Sequence, residues 1–260
     1  MFPIGYVEAC SFDFKFKEDL LLRWHHSLVT HVPRNKRVPP PSDTIRKQRR
    51  VLILELNGVL LHTIEIQHGD VSPDWAEHMH LVEENTSVWH LIRKDAFTFL
   101  DFCMEWFEVW IWSANRLQRT RRILELCFPQ HHQKFKVVAG QAACQKTDLL
   151  IGYRFVYHKN LDVAWRIFHD LDGDNTLIFY DALYSVMWNM PGTYLIFPKM
   201  WNQSTEDLQR FLETTISAWL LGWIYAKNKR EYTCNTLVNE AACDRETLYV
   251  LEQYMTKRHV

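Results

Sequence analysis

The sequence predicts an α/β fold in which a parallel sheet is flanked by helices on both faces. Three observations carry this. From residue 50 onward, short apolar runs alternate with segments whose apolar residues recur at helical spacing. The runs VLIL, VWIW and LIFY are apolar throughout, as strands buried on both faces are. Polar residues of complementary chemistry stand just past the ends of these runs, where sheets of this kind bind ligands.

The elements follow in order. VLILEL, 51 to 56, reads as a buried strand. DAFTFLDFCMEWF, 95 to 107, has helical spacing, and EVWIWS, 108 to 113, is a second buried strand. RLQRTRRILELCF, 116 to 128, is a helix with one basic and one apolar face, and KFKVVAG, 134 to 140, is a third strand. NLDVAWRIFHDL, 160 to 171, is a helix, NTLIFYDA, 175 to 182, a fourth strand and GTYLIF, 192 to 197, a short fifth. Residues 205 to 227 make one long closing helix with Thr205 as its N-cap. Upstream, KEDLLLRWHHSLVT, 17 to 30, is a short amphipathic helix. Residues 33 to 50 hold three consecutive prolines and seven Lys or Arg against one Asp, which favours an exposed, extended linker over a two-part nuclear import signal. The domain division is 1–48 as a basic, proline-rich N-terminal extension, 49–227 as the core domain and 228–260 as a helical C-terminal extension.

Composition narrows the class. With 47% apolar and 23% charged residues, 11 Trp and 15 Phe, the chain builds an aromatic core rather than a disordered state. A net charge of −1 gives no reason to expect nucleic-acid or membrane-surface binding. Six cysteines without a CxxC pair suit a reducing compartment. The first residues lack a signal-peptide core, and SAWLLGWIYA, 217 to 226, is too short to span a bilayer. The expected location is nucleus or cytoplasm, with the mitochondrion disfavoured by an acidic N-terminus.

The strand ends carry Glu55 and Asn57, Ser113 and Asn115, and Asp181, while Lys159 opens a helix on the same edge. Carboxylates, a hydroxyl and a lysine on one edge are the makings of a phosphate-and-metal site. Other tempting features have plainer readings. HDLDGDNT, 169 to 176, puts its glycine at the fourth position, so it is a helix-to-strand turn and not a calcium loop. His78, His80, His131 and His132 lack ligand partners at metal spacing. Arg116, Arg119, Arg121 and Arg122 read as a solvated helix face.

The order of these pieces resembles the haloacid-dehalogenase superfamily, in the branch of RNA polymerase II C-terminal-domain phosphatases and NLI-interacting-factor-like proteins. LILELNGVLLHT matches a first motif hhhDhDxTLhHT, with Leu60, Leu61, His62 and Thr63 in place. VWIWS matches a second motif ending in Ser113. Lys159-Asn160-Leu161 matches Lys-Asp-Leu, and Tyr180-Asp181-Ala182-Leu183 matches Asp-Asp-Ser-Pro. EDLQRFLETTI matches a closing acidic, leucine-rich helix. The resemblance covers roughly residues 49 to 226 and implies a Rossmann-like sheet. It implies that Glu55 stands at the nucleophile position and Asn57 at the acid/base position, and that Ser113 and Lys159 hold phosphate oxygens. It further implies a Mg2+ bound by Glu55, the Asn57 backbone carbonyl and Asp181.

The departures fall on the chemistry. Glu55 replaces an Asp, and one methylene moves the carboxylate outward by ~1.5 Å. A misplacement of about 1 Å can cost on the order of 10²-fold in rate. Asn57 cannot donate a proton to an alkoxide, a loss of about 10²–10⁴-fold. Tyr180 replaces one of two late acids and weakens the metal shell. Glu55 is then either a relic ligand that still holds a cation or an acid capped by nearby backbone N–H groups. The expectation is a catalytically impaired phosphatase homologue that acts by binding a protein or phosphopeptide, with Mg2+ held weakly and no membrane span. The alternatives are an active Mg-dependent protein serine/threonine phosphatase and a mitochondrial presequence-translocase receptor-like subunit.

Overall fold

A computed structural model describes residues 48–65, 79–85, 87–197, 210–234, 249, 250 and 253. The helix expected at 17–30, nearly all of the basic linker, the Thr205 cap and most of the C-terminal extension lie outside the described residues.

The strands are β1 (Val51–Leu54), β2 (Leu61–Glu65), β3 (Met79–Asn85), β4 (Val88–Arg93), β5 (Glu108–Trp112), β6 (Val137–Ala139), β7 (Gln145–Ile151), β8 (Arg154–His158), β9 (Thr176–Tyr180) and β10 (Tyr194–Ile196). The α-helices are α1 (Ala96–Trp106), α2 (Leu117–Cys127), α3 (Leu161–Ile167), α4 (Ser217–Tyr225) and α5 (Lys229–Cys234). Five strands form one parallel sheet in the order β10-β9-β1-β5-β6. This is the predicted α/β architecture.

The sheet separates two apolar layers because successive strand residues point to opposite faces. Leu52 and Leu54 of β1 join Val109, Ile111, Leu177 and Phe179 beneath α1, α2 and α4, with Phe99, Leu124 and Trp219 from those helices. Val51 and Ile53 face the other way and pack with Trp110, Trp112 and Ile178 against Leu161 and Ala164 of α3. No position along β1 is wet, which is why its sequence shows no alternation. Asn160 begins α3 by accepting the Asp162 N–H at 3.0 Å. The observed strands are shorter than the apolar runs; 134–140, for example, contracts to Val137–Ala139.

Two features depart from the sequence reading. An antiparallel sheet, order β2-β4-β3, and a hairpin, β7-β8, fill the long gaps between parallel strands. In the first of these, Thr63 lies opposite His90, and an irregularity between Glu83 and Asn85 marks the end of β3. His90 is fully buried, with Nδ1 3.0 Å from the Thr63 hydroxyl and Nε2 3.1 Å from Glu84. The closing helix is not one continuous α-helix: Leu212–Ile216 is wound as a π-turn before α4. Asp95, paired with Arg93 at 3.3 Å, accepts the Leu212 N–H at 2.6 Å, and the Ser217 hydroxyl donates to the Leu212 carbonyl at 3.0 Å. Such widened turns are rare and occur mostly as single turns within α-helices.

Burial lowers the pKa values of His62, His90 and His158; for His90, Glu84 opposes the effect. In the window between the folded and unfolded values the unfolded chain binds more protons. Stability is therefore full above about pH 6.5 and declines as pH falls below it. Tm recorded at pH 7.5 and 5.5 is expected to drop at the lower pH, and less in His90→Gln. An unchanged Tm would show that these rings are solvated.

Candidate functional site

The parallel strands deliver their residues to one edge. Glu55 follows β1 and remains tied to β9, its N–H donating to the Phe179 carbonyl at 3.1 Å. Glu55 is 3% exposed, and its two carboxylate oxygens are engaged from three directions. Oε1 accepts the Leu56 N–H at 2.9 Å. Oε2 accepts the Ala114 N–H at 3.3 Å and is ion-paired with the Lys159 ammonium.

Lys159 is fully buried and stands just before α3. Its main chain is held on both sides: its N–H donates to Ser185 at 2.9 Å, and Asn189 Nδ2 donates to its carbonyl at 2.8 Å. The same Asn189 accepts the Leu161 N–H through Oδ1 at 2.8 Å, so one amide positions both the lysine and the start of α3. The Lys159 ammonium also lies 3.5 Å from the centroid of the Tyr180 ring, a cation–π contact. Burial, and next the charges of Glu55 and Asp181, hold the Tyr180 hydroxyl well above its usual pKa. Tyr180 therefore stays neutral and acts on Lys159 through its ring face.

The turn after β1 folds back on itself. Leu60 and Leu61 both donate to the Leu56 carbonyl at 3.0 Å, and Gly58 donates to Leu61 at 2.8 Å. Gly58 has φ +92°, and a Cβ there would lie 2.2 Å from the Asp181 carboxyl. Glycine is required twice over, by backbone handedness and by the carboxyl packed upon it. Asn57 accepts the Thr63 N–H through Oδ1 at 2.8 Å, which fixes the orientation of its amide. Ser113 is buried; its hydroxyl oxygen accepts from the Asn115 N–H at 3.2 Å and from Asn115 Nδ2 at 3.3 Å.

The edge thus gathers Glu55, Lys159 and the Ser113–Ala114 strand end into one cluster, with Asn57, Gly58 and Asp181 forming its other wall. Sequence reasoning gave backbone N–H capping of Glu55 as one of two readings without naming Leu56 and Ala114, which carry no residue signature, and it missed Asn189, which lies in a loop with no motif. The donor set does not fit a tightly held Mg2+. Such an ion asks for about six oxygens in a near-octahedral shell. Glu55, however, already accepts two N–H groups and an ammonium, and a phenol stands where a second late acid would be. Nowhere among the described residues do three His, Cys, Asp or Glu side chains gather in metal-binding geometry. Beside the cluster, a cavity of about 370 Å³ is lined by Arg116, Leu117, Gln141, Ala142, Cys144 and Tyr157. Its position is fixed by the Gln141 N–H, which donates to the Asn115 carbonyl at 2.7 Å.

Similar solved structures include fission yeast Fcp1, an RNA polymerase II CTD phosphatase, as a variant bound to beryllium fluoride. A second is Fcp1 described as an essential RNA polymerase II CTD phosphatase. Each is 13% identical, with a TM-score of 0.40 over 94% of this chain and 66% of the other. The chain therefore spans just under two thirds of their length. No curated protein matches it. The model of the NLI interacting factor-like phosphatases matches residues 50–219, well over half of the sequence and the whole of the parallel sheet, and the chain belongs to that family.

Proposed function

We propose that this chain uses the phosphatase fold to bind a protein or phosphopeptide and has given up phosphoryl transfer, as a pseudophosphatase of the nucleus or cytoplasm. One observation carries the proposal: the carboxylate at the nucleophile position is buried and ion-paired with Lys159. An attacking carboxylate needs a free lone pair within about 3–3.5 Å of phosphorus. Here Glu55 accepts two N–H groups and an ammonium, which draw charge from both oxygens and lower their nucleophilicity. Asn57 supplies no proton, and its amide is already oriented by Thr63. The open cavity beside the cluster, with Arg116 and Tyr157 in its wall, offers room for a peptide side chain. Among the described residues no helix is long and apolar enough to cross a membrane.

The test is hydrolysis of an aryl phosphate by the purified chain with Mg2+, beside Glu55→Ala. No turnover is expected from either. Turnover by the native chain that is lost in Glu55→Ala would establish an active phosphatase instead. Glu55→Asp with Asn57→Asp restores both the reach and the proton donor. Only the double variant is expected to hydrolyse measurably, because groups acting in one step are strongly non-additive. A folded but inert double variant would show that the pocket no longer accepts phosphate.

Magnesium gives a separate reading. With Glu55 engaged by Lys159, millimolar Mg2+ is expected to move Tm by no more than about a degree. A rise of several degrees, abolished in Asp181→Asn, would establish a metal site on this edge.

A further inference from the structure

The Glu55 carboxylate sits in a site built for an oxyanion. Two backbone N–H groups at the ends of adjacent parallel strands, those of Leu56 and Ala114, point at it together with a fully buried ammonium. Convergent backbone amides with a buried cation form an anion-binding concavity whatever the sequence around them. Ser113 adds a further donor: its oxygen accepts both hydrogen bonds from Asn115, which leaves its own hydrogen to be given away. Lys159 cannot leave, since its main chain is clamped by Ser185 and Asn189 and its ammonium rests on Tyr180.

We propose that Glu55 is a built-in occupant of this oxyanion site, an intramolecular carboxylate that holds it permanently filled. Shortening Glu55 would then open a pocket for a free tetrahedral oxyanion, inorganic phosphate being the simplest. This rests on the binding role proposed above and adds to it. In the native chain a phosphorylated partner is not held through this pocket, and recognition falls to the surface around it, including the Arg116–Tyr157 cavity.

The experiment is thermal unfolding without Mg2+, in 10 mM phosphate against chloride at matched ionic strength. Glu55→Ala leaves Lys159 without its partner and is expected to melt below the native chain in chloride. Phosphate should raise its Tm by about 5–10 °C, the shift given by a ligand at roughly a hundredfold its Kd in a domain this size. The native chain and Glu55→Gln, whose amide still fills the space, should respond by less than about a degree. Lys159→Met added to Glu55→Ala should abolish the response. An equal shift in the native chain would overturn the proposal, as would a folded Glu55→Ala that ignores phosphate. Should Glu55→Ala not fold in chloride, the readout is its refolding yield: recovery in phosphate supports the proposal and failure in both salts overturns it. Aryl-phosphate turnover by the native chain would remove both ideas, whereas a folded Glu55→Ala that ignores phosphate, beside a native chain without turnover, removes this one alone.

Discussion

Lys159→Met is expected to destabilise the protein by about 3–5 kcal/mol, the loss that follows when one partner of a buried ion pair is deleted. The side chains of Lys159 and Glu55 are 0% and 4% exposed, so water cannot take over the role of the ammonium. Two N–H groups remain on the carboxylate, from Leu56 and Ala114, but neither carries a full charge. The Tyr180 ring, which now faces the ammonium, would face a methyl group. Adding Glu55→Gln to Lys159→Met removes the stranded charge, and the double variant is expected to be more stable than Lys159→Met alone. Equilibrium unfolding in urea at pH 7.5 measures all three. A loss below about 1 kcal/mol would place the pair in solvent, where such bridges are worth that little, and would take the filled-pocket proposal with it.

Gly58→Ala is expected to cost about 2–4 kcal/mol, and Gly152→Ala about 1 kcal/mol, because only the first adds a collision to backbone strain. Both glycines have positive φ, +92° and +58°. A Cβ at Gly152, in the β7-β8 turn, meets nothing within 4 Å. A Cβ at Gly58 meets Asp181 Cγ and Oδ2 at 2.2 Å and its Cβ at 2.4 Å. Asp181→Gly removes those atoms and should recover part of the Gly58→Ala loss while leaving Gly152→Ala unchanged. Equal losses at the two glycines would mean that the Asp181 carboxyl swings away freely, and that this wall of the site is not fixed.

The parallel sheet and its ligand edge were legible because buried parallel strands write themselves as continuous apolar runs, and their last residues mark the edge. Glu55, Ser113 and Asp181 are placed that way, and Lys159 by the helix it opens on the same edge. The antiparallel sheet could not. Its strands carry His62, His80, Glu83, Glu84 and His90 among the apolar residues, and such a mixture is also the signature of a loop. The π-turn was invisible for a different reason: Asp95, which holds the Leu212 N–H, lies 117 residues upstream. The destination of the Glu55 carboxylate was equally hidden. A strand-end acid reads alike whether it meets a cation from solvent or a lysine 104 residues downstream. The outcome turned on Asn189, which clamps the Lys159 backbone and has no motif of its own.

The strand order has a consequence for how the chain reaches its native state. β1 is synthesised first among the parallel strands, yet it lies at the centre and pairs with β5 at Val51–Glu108 and with β9 at Val51–Thr176. Its edge toward β5 can pair once β5 is made, but its edge toward β9 stays bare until β9 has left the ribosome. Contacts of such sequence separation are entropically late, so folding waits on the far end of the domain. A nascent chain halted before Tyr180 would present an apolar, unpaired strand edge for many seconds, the kind of surface that recruits chaperones or aggregates.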